Sequence, residues 1–272
     1  MINQSRGCID YAECGAGPTI VLVPGSCSTG AAWRPVISAL NGHFRCVITS
    51  LLGYGATAER RTSQDPAIAY EAEIIEAVVR RAGGAVHLVG HSFGGLVALV
   101  VALRNKVALD SLTILEAPAP EILRECNELE GYRAFRAMNE TYFAAFSSGN
   151  RNAIAEMIDF YGGPGTYASW PERVRAYAQD TTPVNILDWA SAYGFPLRLA
   201  ELATVALPTL VVWGGASHPV VQRANALLCQ SIPGAAHVTL AGAAHFMIAT
   251  HPSRVARLIA DHVHCAERVL PV

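Results

Sequence analysis

The sequence predicts an α/β fold: a mostly parallel central sheet with helices on both faces and a helical segment inserted late in the chain. Three observations carry that prediction. Short apolar runs alternate with helical patterns through the first half. A glycine-flanked serine, Gly90-His91-Ser92-Phe93-Gly94, falls between a strand-like run and a helix-like run. Sheet texture then resumes near residue 208, after a long stretch that has none.

The elements follow in order. Residues 8–14 read as an early strand, closed by the turn Gly15-Ala16-Gly17-Pro18. Residues 19–23 are a buried strand that ends at Pro24-Gly25, and 33–40 read as a helix. Residues 44–49 are the next strand, followed by the glycine-rich loop Gly53-Tyr54-Gly55 and an amphipathic helix over 69–81. Residues 85–89 form a strand entering Ser92, 95–103 a helix leaving it, and 111–115 another strand. From 119 to about 204 the segments are helical and rich in Arg, Glu, Tyr and Phe, with a break at Gly162-Gly163-Pro164-Gly165. A strand over 209–213, a last strand over 236–241 and a last helix over 252–262 complete the chain. The predicted organisation is therefore a core from 1–118 and 205–272, with 119–204 as a helical lid. There is no internal repeat and no low-complexity tract.

Composition narrows the function classes. The 272 residues are 51% hydrophobic and 15% charged, which suits one large domain with a thick core and excludes disorder. The net charge is −2, with no long block of either sign, so nucleic acid and anionic membrane are poor partners. Asp10 and Glu13 interrupt the N-terminal stretch early, and no signal peptide is expected. The most apolar stretch, 85–103, is broken by His87, His91 and Ser92, which favours strand, turn and helix over a membrane span. Seven cysteines are scattered without a Cys-x-x-Cys pair, so free thiols in a reducing cytoplasm are expected rather than disulfides or a zinc site.

The glycine-flanked serine carries the chemistry. A sharp turn from strand to helix strains the serine backbone and brings the flanking chain close. Glycine two residues before and two after removes the side chains that would clash. Ser92 is therefore the expected nucleophile. The plainer reading is a glycine-rich turn packing a helix on a sheet, which accounts for Gly94 and Gly95 but does not require a serine.

With these residues the chain resembles the α/β-hydrolase fold in its form with a helical cap, over nearly its whole length. The family carries an oxyanion segment after an early strand, and the match is Pro24-Gly25-Ser26 onward to Trp33, with Pro24 where histidine is usual. The resemblance implies the backbone N–H groups of Ser26 and Phe93 as oxyanion donors. It implies His245, in Ala243-Ala244-His245-Phe246 after the last strand, as general base. The other histidines have plainer readings: His91 fills the elbow, His87 lies in a strand, and His43, His237, His251, His262 and His264 are surface or element-end residues. His218 is harder to set aside, because it lies in the loop that usually bears the family's aspartate. That loop, Gly214-Gly215-Ala216-Ser217-His218-Pro219, holds no carboxylate, and Ser217 occupies the slot.

Glu116, at the end of strand 111–115, is the expected acid instead, because haloalkane dehalogenases of this fold carry theirs at that strand end. The alternatives are no acid at all, or one from elsewhere such as Asp188. Tyr161, Trp170, Tyr167, Trp189, Phe195 and Tyr193 are candidates for lining an apolar pocket, or for packing the lid itself. Cys27 reads as a buried small hydrophobe beside the oxyanion segment rather than as a reactive thiol.

The resemblance implies a serine hydrolase acting through an acyl-enzyme on a small apolar acyl substrate: an ester, lactone or thioester. No metal or organic cofactor is needed. Dehalogenase and epoxide hydrolase chemistry are disfavoured, since resembling enzymes use an aspartate where this chain has Ser92. Other triad reactions remain (carbon–carbon bond hydrolase, perhydrolase, lyase), as does a ligand-binding receptor of hydrolase-like build. The sequence leaves the substrate's identity and the oligomeric state open.

Overall fold

The computed structural model describes residues 1–4 and 7–269. Strands β1 (Ile2–Gln4) and β2 (Gly7–Ile9) pair antiparallel as a ribbon separate from the main sheet. Strand β3 (Ala12–Cys14) instead joins that sheet, so the single strand expected over 8–14 is split. Asp10 causes the split. Its N–H donates to Thr57 Oγ1, its carbonyl accepts from Thr49 Oγ1, and its carboxylate accepts from the Ala56 N–H. These bonds take the backbone out of the ladder.

The main sheet adds β4 (Thr19–Val23), β5 (Arg45–Ile48), β6 (Val86–His91), β7 (Leu109–Leu115), β8 (Thr209–Gly214) and β9 (Ala236–Leu240). Its order is β3-β5-β4-β6-β7-β8-β9, parallel except for β3 at the edge. Both faces of the inner strands are covered. Ile20, Leu22, Val89, Leu115 and Val212 pack against one helical layer, while their neighbours Val21, Val23, Leu88, Ile114 and Val211 pack against the other. That is why these strands read as unbroken apolar runs rather than alternating ones. Each such side chain moved out of water contributes about 1.5–3 kcal/mol.

One layer holds α1 (Arg34–Ala39), entered through a 3₁₀ turn at Gly30–Trp33, and the C-terminal helix. The opposite layer holds α2 (Ala69–Ala82) and α3 (Phe93–Arg104). Between β7 and β8 the chain forms α4 (Pro120–Glu125), α5 (Leu129–Ser147), α6 (Ile154–Gly162), α7 (Thr166–Ser169), α8 (Glu172–Asp180), α9 (Thr182–Gly194) and α10 (Leu199–Leu202), with no strand among these described residues. Helix α11 (Pro219–Ser231), assigned no element from sequence, follows β8. Helix α12 (Met247–Thr250) follows β9. The last helix, α13 (Pro252–Val269), outruns the expected 252–262 because Val263 and Ala266 extend the buried stripe begun by Val255, Ala256 and Ile259. Among the described residues no helix is long and apolar enough to cross a membrane.

Strands β5 and β6 lie on opposite sides of β4, so the winding reverses there. In an open parallel sheet, the crevice beyond the C-terminal strand ends at that reversal is where ligands bind. The loops after β4, β6, β7, β8 and β9 all open on that edge.

Candidate active site

Ser92 sits between β6 and α3 with φ 55° and ψ −131°, a conformation that side chains rarely adopt. Its N–H donates to the Leu115 carbonyl at 2.9 Å, and its carbonyl accepts from the Gly95 N–H at 2.7 Å. The glycines allow this turn. A Cβ on Gly90 would lie 2.2 Å from the Gly94 carbonyl oxygen, and one on Gly94 would lie 2.2 Å from that of Pro24.

The structure brings Ser92, His245 and Glu116 together. His245, in the loop between β9 and α12, has Nε2 2.8 Å from Ser92 Oγ and Nδ1 2.8 Å from Glu116 Oε1. A carboxylate only accepts, so Nδ1 carries the proton and Nε2 is left to accept from the serine hydroxyl. Glu116 is fully buried at the end of β7, with φ 51°. Its other oxygen accepts from the Gly214 N–H and the Ser217 hydroxyl, both at 2.7 Å. Ser217 thus stands in the slot after β8 as a donor to Glu116. In the sequence this serine shows only as a missing carboxylate.

His91 does more than fill the elbow. Its Nε2 donates to the His245 carbonyl at 2.8 Å. Burial, reinforced by the neighbouring His245, pushes its pKa down to about 3, so the ring is neutral and its single proton is committed to that bond. His91 and Ser92 therefore grip His245 by backbone and by side chain. No local signal in the sequence marks this contact.

Asp188, the alternative acid, makes its hydrogen bonds to groups other than His245. Its Oδ2 accepts from Ser26 Oγ and from the Tyr54 hydroxyl, each at 2.6 Å, and its Oδ1 accepts from Arg61 at 2.8 Å. The Arg61 guanidinium also meets Glu59 at 2.8 Å and Glu71 at 3.2 Å. Burial pushes the Glu71 carboxyl well above the usual carboxylate range, against the pull of Arg61. Asp188 thus ties α9 to the segment that carries Ser26.

That segment runs hard against the serine: a Cβ on Gly25 would lie 2.7 Å from Ser92 Cβ. Phe93 opens α3, so its N–H has no partner within the helix. Cys27 is pushed up to about 12 by burial and by the charge of Asp188. Its thiol stays protonated, in keeping with the packing role expected of it.

Ser92, His245, Ser26 and Phe93 line a cavity of about 630 Å³. Tyr161, Trp170, Trp189, Met157, Ile158 and Phe246 are among the apolar residues of its wall. Tyr161 lies over the imidazole, with ring centroids 4.3 Å apart. Of the six aromatic candidates, Tyr167, Tyr193 and Phe195 do not line it. Tyr167 bonds Asn152 at 2.9 Å, and Tyr193 accepts from Asn139 at 2.8 Å beneath the Arg136 guanidinium. His218 caps α11 and stacks on Phe160, and it does not line the cavity.

Known proteins share this architecture. The model of a family described as the alpha/beta hydrolase family matches residues 20–258. A pimeloyl-[acyl-carrier protein] methyl ester esterase of Aeromonas salmonicida is 26% identical over 260 residues, covering 90% of this chain and 95% of that protein. One from Yersinia enterocolitica is 27% identical over 261 residues, covering 91% and 94%. A thermophilic esterase from Thermogutta terrifontis superposes with a TM-score of 0.74 at 20% identity, covering 95% of this chain and 93% of that structure.

Proposed function

The chain belongs to the alpha/beta hydrolase family, and from that premise we propose that it is a serine hydrolase cleaving a small, largely apolar ester, lactone or thioester. The single observation that carries the reading is the continuous chain of short hydrogen bonds from Ser92 through His245 to Glu116, opening on an apolar cavity. The esterase relatives support the same class of bond.

The geometry supports the following steps. A bound acyl carbonyl lies between Ser92 Oγ and the N–H groups of Ser26 and Phe93. Oγ attacks, and its proton passes to His245 Nε2. The imidazolium is stabilised through Nδ1–H by Glu116, and the oxyanion by the two N–H groups. His245 returns the proton to the leaving group, which frees the alcohol or thiol and leaves an acyl group on Ser92. A water deprotonated by His245 repeats the attack and releases the acid. Residues 119–204 serve as the cap that closes the apolar side of the cavity. The seven free cysteines fit a cytoplasmic setting.

The test is labelling with a fluorophosphonate together with turnover of a panel of acyl esters and lactones. Wild-type protein is expected to label at Ser92 and to turn over members of the panel. Ser92→Ala is expected to lose both, with a rate loss on the order of 10⁶ and an unchanged melting temperature. A variant that keeps activity within tenfold of wild type overturns Ser92 as nucleophile. Ligand binding without labelling supports the receptor reading instead.

A further inference from the structure

Helix α9 turns two polar side chains toward an otherwise apolar wall. Asn185 and Asp188 both line the cavity, and Trp189 and Ala192 complete that face. Asp188 is fully engaged by Ser26, Tyr54 and Arg61. Asn185 is not. It is 1% exposed, and its Oδ1 is buried without a hydrogen-bond partner. Its own N–H is spent on the Thr181 carbonyl. The neighbouring Trp189 indole is already committed to the Met157 sulfur.

A leucine or methionine would fill this stretch of wall with no polar group to satisfy. A carboxamide there presents one acceptor and two donors, whichever way the amide is turned. Its complement is an uncharged group that both donates and accepts. We propose that Asn185 is a specificity residue, recognising a hydroxyl or a secondary amide carried on the substrate. The proposal rests on the serine hydrolase reading and deepens it.

The position of Asn185 also says where that group sits. Asn185 precedes Asp188 by three residues, about 4.5 Å along the helix axis. Asp188 in turn touches Ser26, beside the assigned oxyanion site. The recognised group therefore lies one step along α9 from the residue that touches Ser26, on the wall of the same cavity. A plain alkyl chain in the cavity leaves the amide oxygen unpaired. A chain bearing the hydroxyl or amide pairs it. Sites of this kind reject the plain analogue more strongly than an apolar pocket tells one methylene from another.

The experiment compares kcat/KM for methyl hexanoate, methyl hydroxyhexanoates with the hydroxyl moved along the chain, and the methyl esters of N-acetylglycine and N-acetyl-β-alanine. Wild-type protein is expected to prefer at least one hydroxyl or amide ester by about tenfold or more. Which arm is preferred separates the two groups. Asn185→Leu is expected to collapse that ratio toward one. Should the leucine variant fail to fold, Asn185→Ser, with its shorter reach, reads the same ratio. A wild-type preference for the plain ester, or variants that lower every ester by one common factor, overturns the proposal. Fluorophosphonate labelling separates the two levels. Without labelling the hydrolase reading itself falls; with labelling and no preference, only the role of Asn185 falls.

Discussion

Two hydrogen-bonded clusters flank the cavity, and they handle charge in opposite ways. On one side Glu116 faces His245, the Gly214 N–H and the Ser217 hydroxyl. Its ion-pair partner among the described residues is His245 alone, which is charged only when protonated. On the other side Asp188, Glu59 and Glu71 converge on the guanidinium of Arg61. The carboxylate of Asp188 thus faces a permanent cation, whereas in the proposed mechanism that of Glu116 faces one only while His245 is protonated. The first arrangement holds shape. In the proposed mechanism the Glu116 arrangement gains its largest stabilisation only while His245 carries a transferred proton.

The sharpest way to break this comparison is to neutralise each carboxylate in turn. Glu116→Gln keeps the size and removes the charge that stabilises an imidazolium, so kcat is expected to fall by about 10⁴. Asp188→Asn keeps an acceptor for Ser26 and Tyr54, and Arg61 keeps Glu59 and Glu71. A loss of only about ten- to a hundredfold in kcat/KM is expected, through a displaced Ser26. Equal losses from the two substitutions, read by steady-state kinetics on one ester, would erase the distinction.

Stability against pH sharpens the contrast further. The lowered pKa of His91, about 3 against an ordinary 6.5, gives stability that is complete above 6.5 and lost as the pH falls toward 3. The loss is about 1.4 kcal/mol per pH unit within that window. The raised pKa of Glu71 acts the other way: its stability is complete in acid and lost as the pH climbs above the ordinary carboxylate range. Thermal melts should therefore show an acid limb flattened by His91→Asn and an alkaline limb flattened by Glu71→Gln. If neither variant changes its limb, the two groups do not titrate as their burial implies. The smallest expected effect is that of Ser217→Ala. It removes one hydrogen bond to Glu116 while the Gly214 N–H remains, a change of about 1 kcal/mol and a few-fold in kcat. A thousandfold loss would mean that Ser217 contributes more than one bond to Glu116.

What could be read from sequence follows the same division. The elbow was legible because its constraint is local: a strand, a helix and two glycines within a few residues. His245 and Glu116 could be located by the strand ends that carry them. The Asp188 cluster could not, because its members come from the β4 loop, the loop after β5, α2 and α9, and no short pattern joins them. The sequence offers Asp188 only as a rival to Glu116. Ser217 was noticed as a gap, but its bond spans 101 residues and leaves no mark around either partner. The split at Asp10 went unseen for the same reason, since its partners Thr49 and Thr57 lie far along the chain. Helix α11 is a different miss. Pro219 at its first turn and apolar residues at 220, 221, 224, 227 and 228 spell a helix, and that signal was there to be read.

The long reach of these bonds also sets an order of events during synthesis. His245 lies 153 residues after Ser92, and Asp188 lies 162 residues after Ser26. A chain emerging from the ribosome presents its serine, its glutamate and its buried arginine long before the residues that complete either cluster. Until α9 arrives, the segment bearing Ser26 lacks its anchor. Until the stretch beyond β9 arrives, Ser92 Oγ lacks its hydrogen-bond partner His245. On the proposed mechanism, a fragment cut short before residue 245 carries the serine without the base that would activate it.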